Sequence, residues 1–209
     1  EIKETTPKEL PPKIVFFDFE ASTEGKKHEP YMVCYKVNKE EIKTKIGYNC
    51  AKHFLQEVIT DDTLLLAHNL SYDFQFILKH MLSFKKSIER GKQMLQMEGK
   101  YYNFLTKKTY NVMLKDTSAL IAMPLSKFGS CFNLEQGKEI MPYNLYTQSN
   151  IKKEWVSLYE ANKILKKQYY LDCSKKQIED KIYDFTQLAI KHGNLKNGYF
   201  NIIKYAQYY

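Results

Sequence analysis

Apolar positions fall into short continuous runs early in the chain and into helical spacing late. Lys13–Phe19 is rich in Val, Ile and Phe, and its length and composition predict a buried strand. The polar stretch Ala21–Pro30, with Gly25, predicts a loop. Tyr31–Val37 and Glu41–Tyr48 predict two further strands in a meander. Phe54, Leu55 and Val58 recur at helical spacing, which predicts a helix over Ala51–Ile59. Thr63–Ala67 is again continuously apolar and predicts a fourth buried strand. Asn69–Ser71 punctuates it, and a helix is expected over Tyr72–Phe84, with Phe76, Ile77, His80 and Met81 on one face.

Turn residues then separate three expected strands, Lys92–Glu98, Tyr101–Thr106 and Asn111–Lys115. Pro124 opens a short expected helix over Leu125–Phe132, and Glu139–Asn150 reads as loop. Helices are expected over Trp155–Lys166, Lys175–His192 and Tyr199–Tyr209, with Gly193 ending the second. Residues 1–12, charged and Pro-rich, read as a leader, and residues 13–209 as one domain. Strands mixed with helices, followed by a helical end, predict an α/β fold on a mixed sheet.

Composition narrows the classes. No apolar run approaches the roughly 18 residues of a membrane span, so no membrane partner is expected. Cys34, Cys50, Cys131 and Cys173 form no CxxC pair and have no histidine at zinc-ligand spacing. That argues against a structural zinc site and a disulfide framework, and an intracellular, reducing setting is expected. The 32 basic against 24 acidic residues give a net charge of +8, which favours polyanion partners, nucleic acid first. Seventeen Tyr and twelve Phe add surfaces on which unpaired bases can stack. Arg90 is the only arginine, so a Lys/Tyr/Asn/Ile-rich coding bias explains the same numbers equally well.

Two segments carry candidate chemistry. Asp18-Phe19-Glu20 follows the first strand, and residues two apart on a strand share a face, about 7 Å apart. Paired carboxylates are the usual ligands of hard divalent cations such as Mg²⁺; two surface acids closing a strand are the plainer alternative. His68-Asn69-Leu70-Ser71-Tyr72-Asp73 lies between the fourth strand and its helix. Asn69 could cap that helix and Asp73 complement its dipole, a structural account sufficient in itself. The functional alternative makes Asp73 a third acid facing Asp18 and Glu20, because α/β folds place ligands at the carboxyl ends of strands.

Together the two segments resemble the first two exonuclease motifs of family B DNA polymerases, particularly the protein-primed branch of phages, linear plasmids and self-synthesising transposons. Asp116-Thr117-Ser118-Ala119-Leu120, continuing through Pro124-Leu125-Ser126-Lys127-Phe128, is similar to that branch's DSL and PLSKF segments. Lys138-Glu139-Ile140-Met141-Pro142-Tyr143 is similar to its lysine motif. The resemblance implies a ribonuclease-H-like 3′→5′ proofreading exonuclease with two Mg²⁺ or Mn²⁺ ions. It implies metal-binding roles for Asp18, Glu20 and Asp73. Contacts to a single-stranded DNA 3′ end are implied for His68, Asn69, Tyr72 and Thr117, and a catalytic lysine in Lys138. In the parent protein a polymerase domain and a terminal protein are the implied partners.

The chain departs from the pattern at Ala21 and Ser118, where the family has a hydroxyl and a leucine. No Tyr has an Asp four residues on, so the family's third motif, Tyr-x-x-x-Asp, is expected to begin at Tyr209, or Tyr205 or Tyr208. Polymerase palm motifs are absent, and the 209 residues alone are expected to hydrolyse DNA weakly or not at all. Two alternatives remain. A free-standing exonuclease of the DEDD type would need Asp172, Asp180 or Asp184 as its fourth acid. A non-catalytic module for single-stranded nucleic acid would predict loss of an acid from the two motifs, and none is lost.

Overall fold

A computed structural model of the chain describes residues 13–22, 24, 27–124, 127–133 and 140–207. It divides into two compact units. The first takes the described residues up to Asp18, then Val33–Lys45 and Asn49–Ala122; the second takes the described parts of Phe19–Met32 and Met123–Tyr209, with Ile46–Tyr48.

The first unit holds most of a seven-stranded sheet. Its strands are β1 (Lys13–Ser22), β2 (Glu29–Val37), β3 (Lys43–Ile46), β4 (Thr63–Ala67), β5 (Ser83–Arg90), β6 (Gln93–Asn103) and β7 (Lys108–Asp116). Their spatial order is β3-β2-β1-β4-β7-β6-β5. β4 lies parallel to both β1 and β7, while β6 runs antiparallel to β5 and β7, so the sheet is mixed as expected. Two helices, α1 (Cys50–Val58) and α2 (Leu70–Leu78), pack against each other, and α2 lies on β4, β6 and β7. Val15, Phe17, Phe54, Leu55, Leu65, Leu70, Ile77 and Leu114 form the core. Phe54 meets Phe17 at 5.4 Å and Tyr35 at 5.0 Å between ring centroids.

Two departures from the expected elements have local causes. The helix expected over Tyr72–Phe84 stops at Leu78, because Ser83 already begins β5. The strands expected at Lys92–Glu98 and Tyr101–Thr106 are one strand, β6, running through Gly99. A Cβ at Gly99 would stand 2.6 Å from the Ser83 carbonyl oxygen, so glycine lets β5 cross closely where its register shifts between Phe84 and Lys86.

The second unit holds α3 (Phe128–Cys131), α4 (Gln148–Lys153), β8 (Trp155–Ser157), α5 (Leu158–Tyr169), α6 (Lys175–Lys191), β9 (Leu195–Lys196), β10 (Tyr199–Asn201) and α7 (Ile202–Ala206). Trp155 and Tyr199 begin strands rather than the expected helices, and a small sheet β8-β10-β9 results. α4 starts in the expected loop and runs past its end at Asn150, capped by the Thr147 side chain on the Asn150 N–H. α6 matches expectation: Ser174 and Gln177 make a capping box, and Gly193 (φ +65°) closes the helix. Phe185, Phe200 and Tyr205 pack edge to face at 4.9–5.2 Å in the core of this unit.

Candidate active site

The register of the three parallel strands places the site residues. Phe16 of β1 stands opposite Leu66 of β4, and Ala67 of β4 stands opposite Asp116 of β7. All three strands run the same way; β4 and β7 end at the same level, and β1 runs on to Ser22. The chain leaves the sheet at His68 and Thr117, and Asp18 stands two positions past the last β1–β4 pair, along one edge, the carboxyl edge where open α/β sheets take ligands.

β1 alternates faces. Val15, Phe17 and Phe19 are buried, while Asp18 is exposed and Glu20 half-buried on the other face. Phe17 packs on Phe54 of α1, so its neighbour Asp18 projects from the face α1 does not cover. Asp73 comes from a helix. It sits in the first turn of α2, which packs beside α1, and is 2% exposed. A carboxylate so buried persists only where donors, a cation or a proton offset its lost hydration.

The β4–α2 junction is held from β7. Asn69 occupies the N-cap position of α2 but with φ 64° and ψ 50°, and its side chain makes no cap hydrogen bond. The expected capping role is therefore wrong in detail: a left-handed backbone aims the side chain away from the helix amides, leaving it exposed. Instead the Asn69 backbone N–H donates to Asp116 Oδ1 at 3.0 Å. Asp116 also accepts from the Ser118 N–H at 2.8 Å and from the Gln93 amide at 3.2 Å. Burial pushes the Asp116 carboxyl upward, but hydrogen bonds from Ser118, Gln93 and Asn69 outweigh it and hold the group below the usual carboxylate value.

His68 and Thr117 touch: His68 Nδ1 lies 3.2 Å from Thr117 Oγ1, and that hydroxyl donates to the Ala67 carbonyl oxygen at 3.3 Å. The Tyr72 ring stands edge-on to Phe76 at 5.4 Å. Thus His68, Asn69, Tyr72, Asp73 and Thr117 all belong to the first unit, at or beside one junction, whereas Glu20 falls beyond Asp18 in the second. Lys138, Tyr208 and Tyr209 lie outside the described residues. Tyr205 is fully buried, and its hydroxyl donates to the Ile140 carbonyl oxygen at 2.8 Å. Asp172, Asp180 and Asp184 are exposed.

Sequence reasoning missed Gln93 and gave Asp116 no role of its own. The signal for Asp116 was there: an acid closing an apolar strand directly before Thr117-Ser118. Gln93 had none, because a hairpin turn 23 residues away in sequence brings it in.

The donor set Asp18, Glu20 and Asp73 is all carboxylate, the chemistry a hard divalent cation takes. Among the described residues no group of three or more His, Cys, Asp or Glu is closed into a metal-binding arrangement. No helix among them is long and apolar enough to cross a membrane.

A mixed sheet carrying acids and polar side chains on its carboxyl edge defines an α/β protein with its candidate site where open α/β sheets take ligands. Residues 55–197 match the model of the family described as DNA polymerase type B, organellar and viral, and the chain belongs to that family. Among solved structures it is similar to Phi29 DNA polymerase complexed with primer-template DNA and incoming nucleotide substrates. The TM-score is 0.53 at 18% identity, over 90% of this chain and 32% of that one. It is similar also to Phi29 DNA polymerase complexed with single-stranded DNA, with a TM-score of 0.50 at 16% identity, over 77% and 32% of the two chains. The chain thus spans about a third of the polymerases whose fold it shares. No curated protein matches it.

Proposed function

We propose that this chain is the 3′→5′ exonuclease domain of a family B DNA polymerase, trimming single-stranded 3′ ends during DNA replication. One observation carries the reading: parallel β1, β4 and β7 bring Asp18, the His68–Asp73 junction and Thr117 to a single sheet edge. Family membership and the shared Phi29 fold support it.

In this reading Asp18, Glu20 and Asp73 hold two Mg²⁺ or Mn²⁺ ions. Bound ions would supply water activation and neutralise charge on the scissile phosphate. His68, Asn69 and Thr117 then line the path of the strand. Their ring nitrogen, amide and hydroxyl can bond phosphate, sugar or base edges, and Tyr72 offers an aromatic surface to an unpaired base. Lys138 is assigned the contact to the scissile phosphate, and Tyr209 the start of the water-orienting motif. The polymerase domain of the parent, and a terminal protein where priming is by protein, complete the partners.

The test uses the polymerase that carries this chain. Asp18→Ala and Asp73→Ala should each abolish Mg²⁺-dependent loss of nucleotides from a single-stranded 3′ end while leaving primer extension intact. Undiminished trimming in both variants would sink the proposal.

A further inference from the structure

The exonuclease reading leaves one buried charged group at this edge without a task. Asp116 is 1% exposed, closes β7, and has no place among the metal-binding or strand-contacting residues. Its two oxygens are fully engaged by donors. Oδ1 accepts from the Asn69 and Ser118 N–H groups at 3.0 and 2.8 Å; Oδ2 accepts from Gln93 at 3.2 Å. Gln93 also donates to Ser118 Oγ at 2.8 Å, tying the carboxylate to the start of β6. The next residue repeats the link: the Met94 N–H donates to Ser71 Oγ at 2.9 Å. The β5–β6 hairpin therefore grips the His68–Asp73 junction twice, once through Asp116 and once directly.

What these bonds hold is a left-handed backbone. Asn69 has φ 64°, a conformation that Asn enters more readily than other non-glycine residues but less freely than glycine. A charge-assisted bond from its N–H to a buried carboxylate is among the stronger means of fixing it. The conformation turns the chain between β4 and α2 and so decides where His68 and Asn69 point.

We infer that Asp116 is a positioning residue for the strand-binding edge: it locks Asn69 in the left-handed conformation, and Gln93 holds Asp116, so that His68 and Asn69 face a single-stranded 3′ end. This rests on the reading of that edge as a single-strand site. Asp116 touches neither DNA nor metal in this account; it acts through Asn69.

The test is equilibrium binding of a labelled oligothymidylate with a free 3′ end, followed by anisotropy in EDTA so that hydrolysis plays no part. Asp116→Ala should weaken binding about tenfold, the scale of losing a hydrogen bond to a charged group. Asp116→Asn keeps a carbonyl acceptor for the Asn69 N–H and should retain most of the affinity. Glycine holds positive φ unaided. In an Asn69→Gly background, whatever its own affinity, Asp116→Ala should therefore cost less than about twofold, a coupling that a merely structural role would not produce. If wild type fails to prefer single strand over duplex, the exonuclease reading of the edge is wrong. If wild type binds as expected but Asp116→Ala costs the same in both backgrounds, the positioning role is wrong. Should Asp116→Ala not fold, Asp116→Asn and Gln93→Ala decide. Loss with Gln93→Ala alone supports the role, and loss with neither overturns it.

Discussion

The Thr117 hydroxyl sits between two groups that both want it: His68 Nδ1 at 3.2 Å and the Ala67 carbonyl oxygen at 3.3 Å. A hydroxyl has one proton, and a carbonyl oxygen can only accept. The proton therefore goes to Ala67, and His68 must donate from Nδ1. The neutral imidazole keeps its acceptor nitrogen at Nε2. Nitrogen-15 correlation spectra should show the Nδ1–H form of His68 in wild type. In Thr117→Val the preference should relax toward the other tautomer, with affinity for a single-stranded oligonucleotide falling about threefold to tenfold. An Nε2–H signal in wild type would contradict the arrangement.

Metal binding can be read without catalysis. An ion bound only by the native state stabilises it by mass action, about 2.7 kcal/mol at a hundredfold excess over the dissociation constant. Mn²⁺ should therefore raise the thermal midpoint of wild type. Asp18→Ala, at an exposed position, should fold normally and lose that rise. Equal Mn²⁺ stabilisation of wild type and an Asp18→Ala/Asp73→Asn double variant would remove these acids from the metal site.

How far these features were legible in the sequence depended on whether their cause was local. The strand Lys13–Phe19 and the helix Lys175–His192 were readable because burial and capping act on neighbours in sequence. The small sheet β8-β10-β9 was not, because Trp155 pairs with Asn201 and Tyr199 with Ser157 across more than forty residues, and helical spacing hides short strands. At the candidate site, the DFE and HNLSYD segments could be found as strings. The left-handed Asn69 could not, since its partner Asp116 is 47 residues away and reaches it only through the sheet.

Gly99 gives a stability test of the merged strand β6. A Cβ there would lie 2.6 Å from a backbone oxygen, 3.1 Å from Met81 and 3.3 Å from Phe84, and the backbone contact cannot yield as a flexible side chain would. Gly99→Ala should destabilise by roughly 1–3 kcal/mol, the usual range for overpacking. Urea unfolding measures it, and an unchanged midpoint would mean that β5 moves aside freely.

The cysteines should separate by reactivity. Burial pushes the Cys50 thiol up to about 12, leaving almost no thiolate at neutral pH, and the residue is fully buried at the start of α1. Cys131 is exposed. In native protein a thiol reagent should label Cys131 promptly and Cys50 only at the rate of local or global opening. Rapid labelling of Cys50, mapped by peptide mass, would show that α1 is not seated as described.

Acid should weaken the Asp116 link in a defined direction. Its folded carboxyl titrates below the ordinary value, since burial is outweighed by the bonds from Ser118, Gln93 and Asn69. The stabilisation is therefore complete above the unfolded value, about pH 4. As pH falls below that, the unfolded chain takes up the proton first, and the advantage shrinks until the folded group also protonates. Asp116→Asn carries no such proton. The stability gap between wild type and Asp116→Asn should be constant from pH 8 to about pH 5 and then narrow steadily toward pH 3. Urea midpoints taken at half-unit steps read it directly. A gap that widens on acidification would mean that the carboxyl is raised in the fold, and Asp116 would then be a buried acid kept neutral rather than an ionised acceptor.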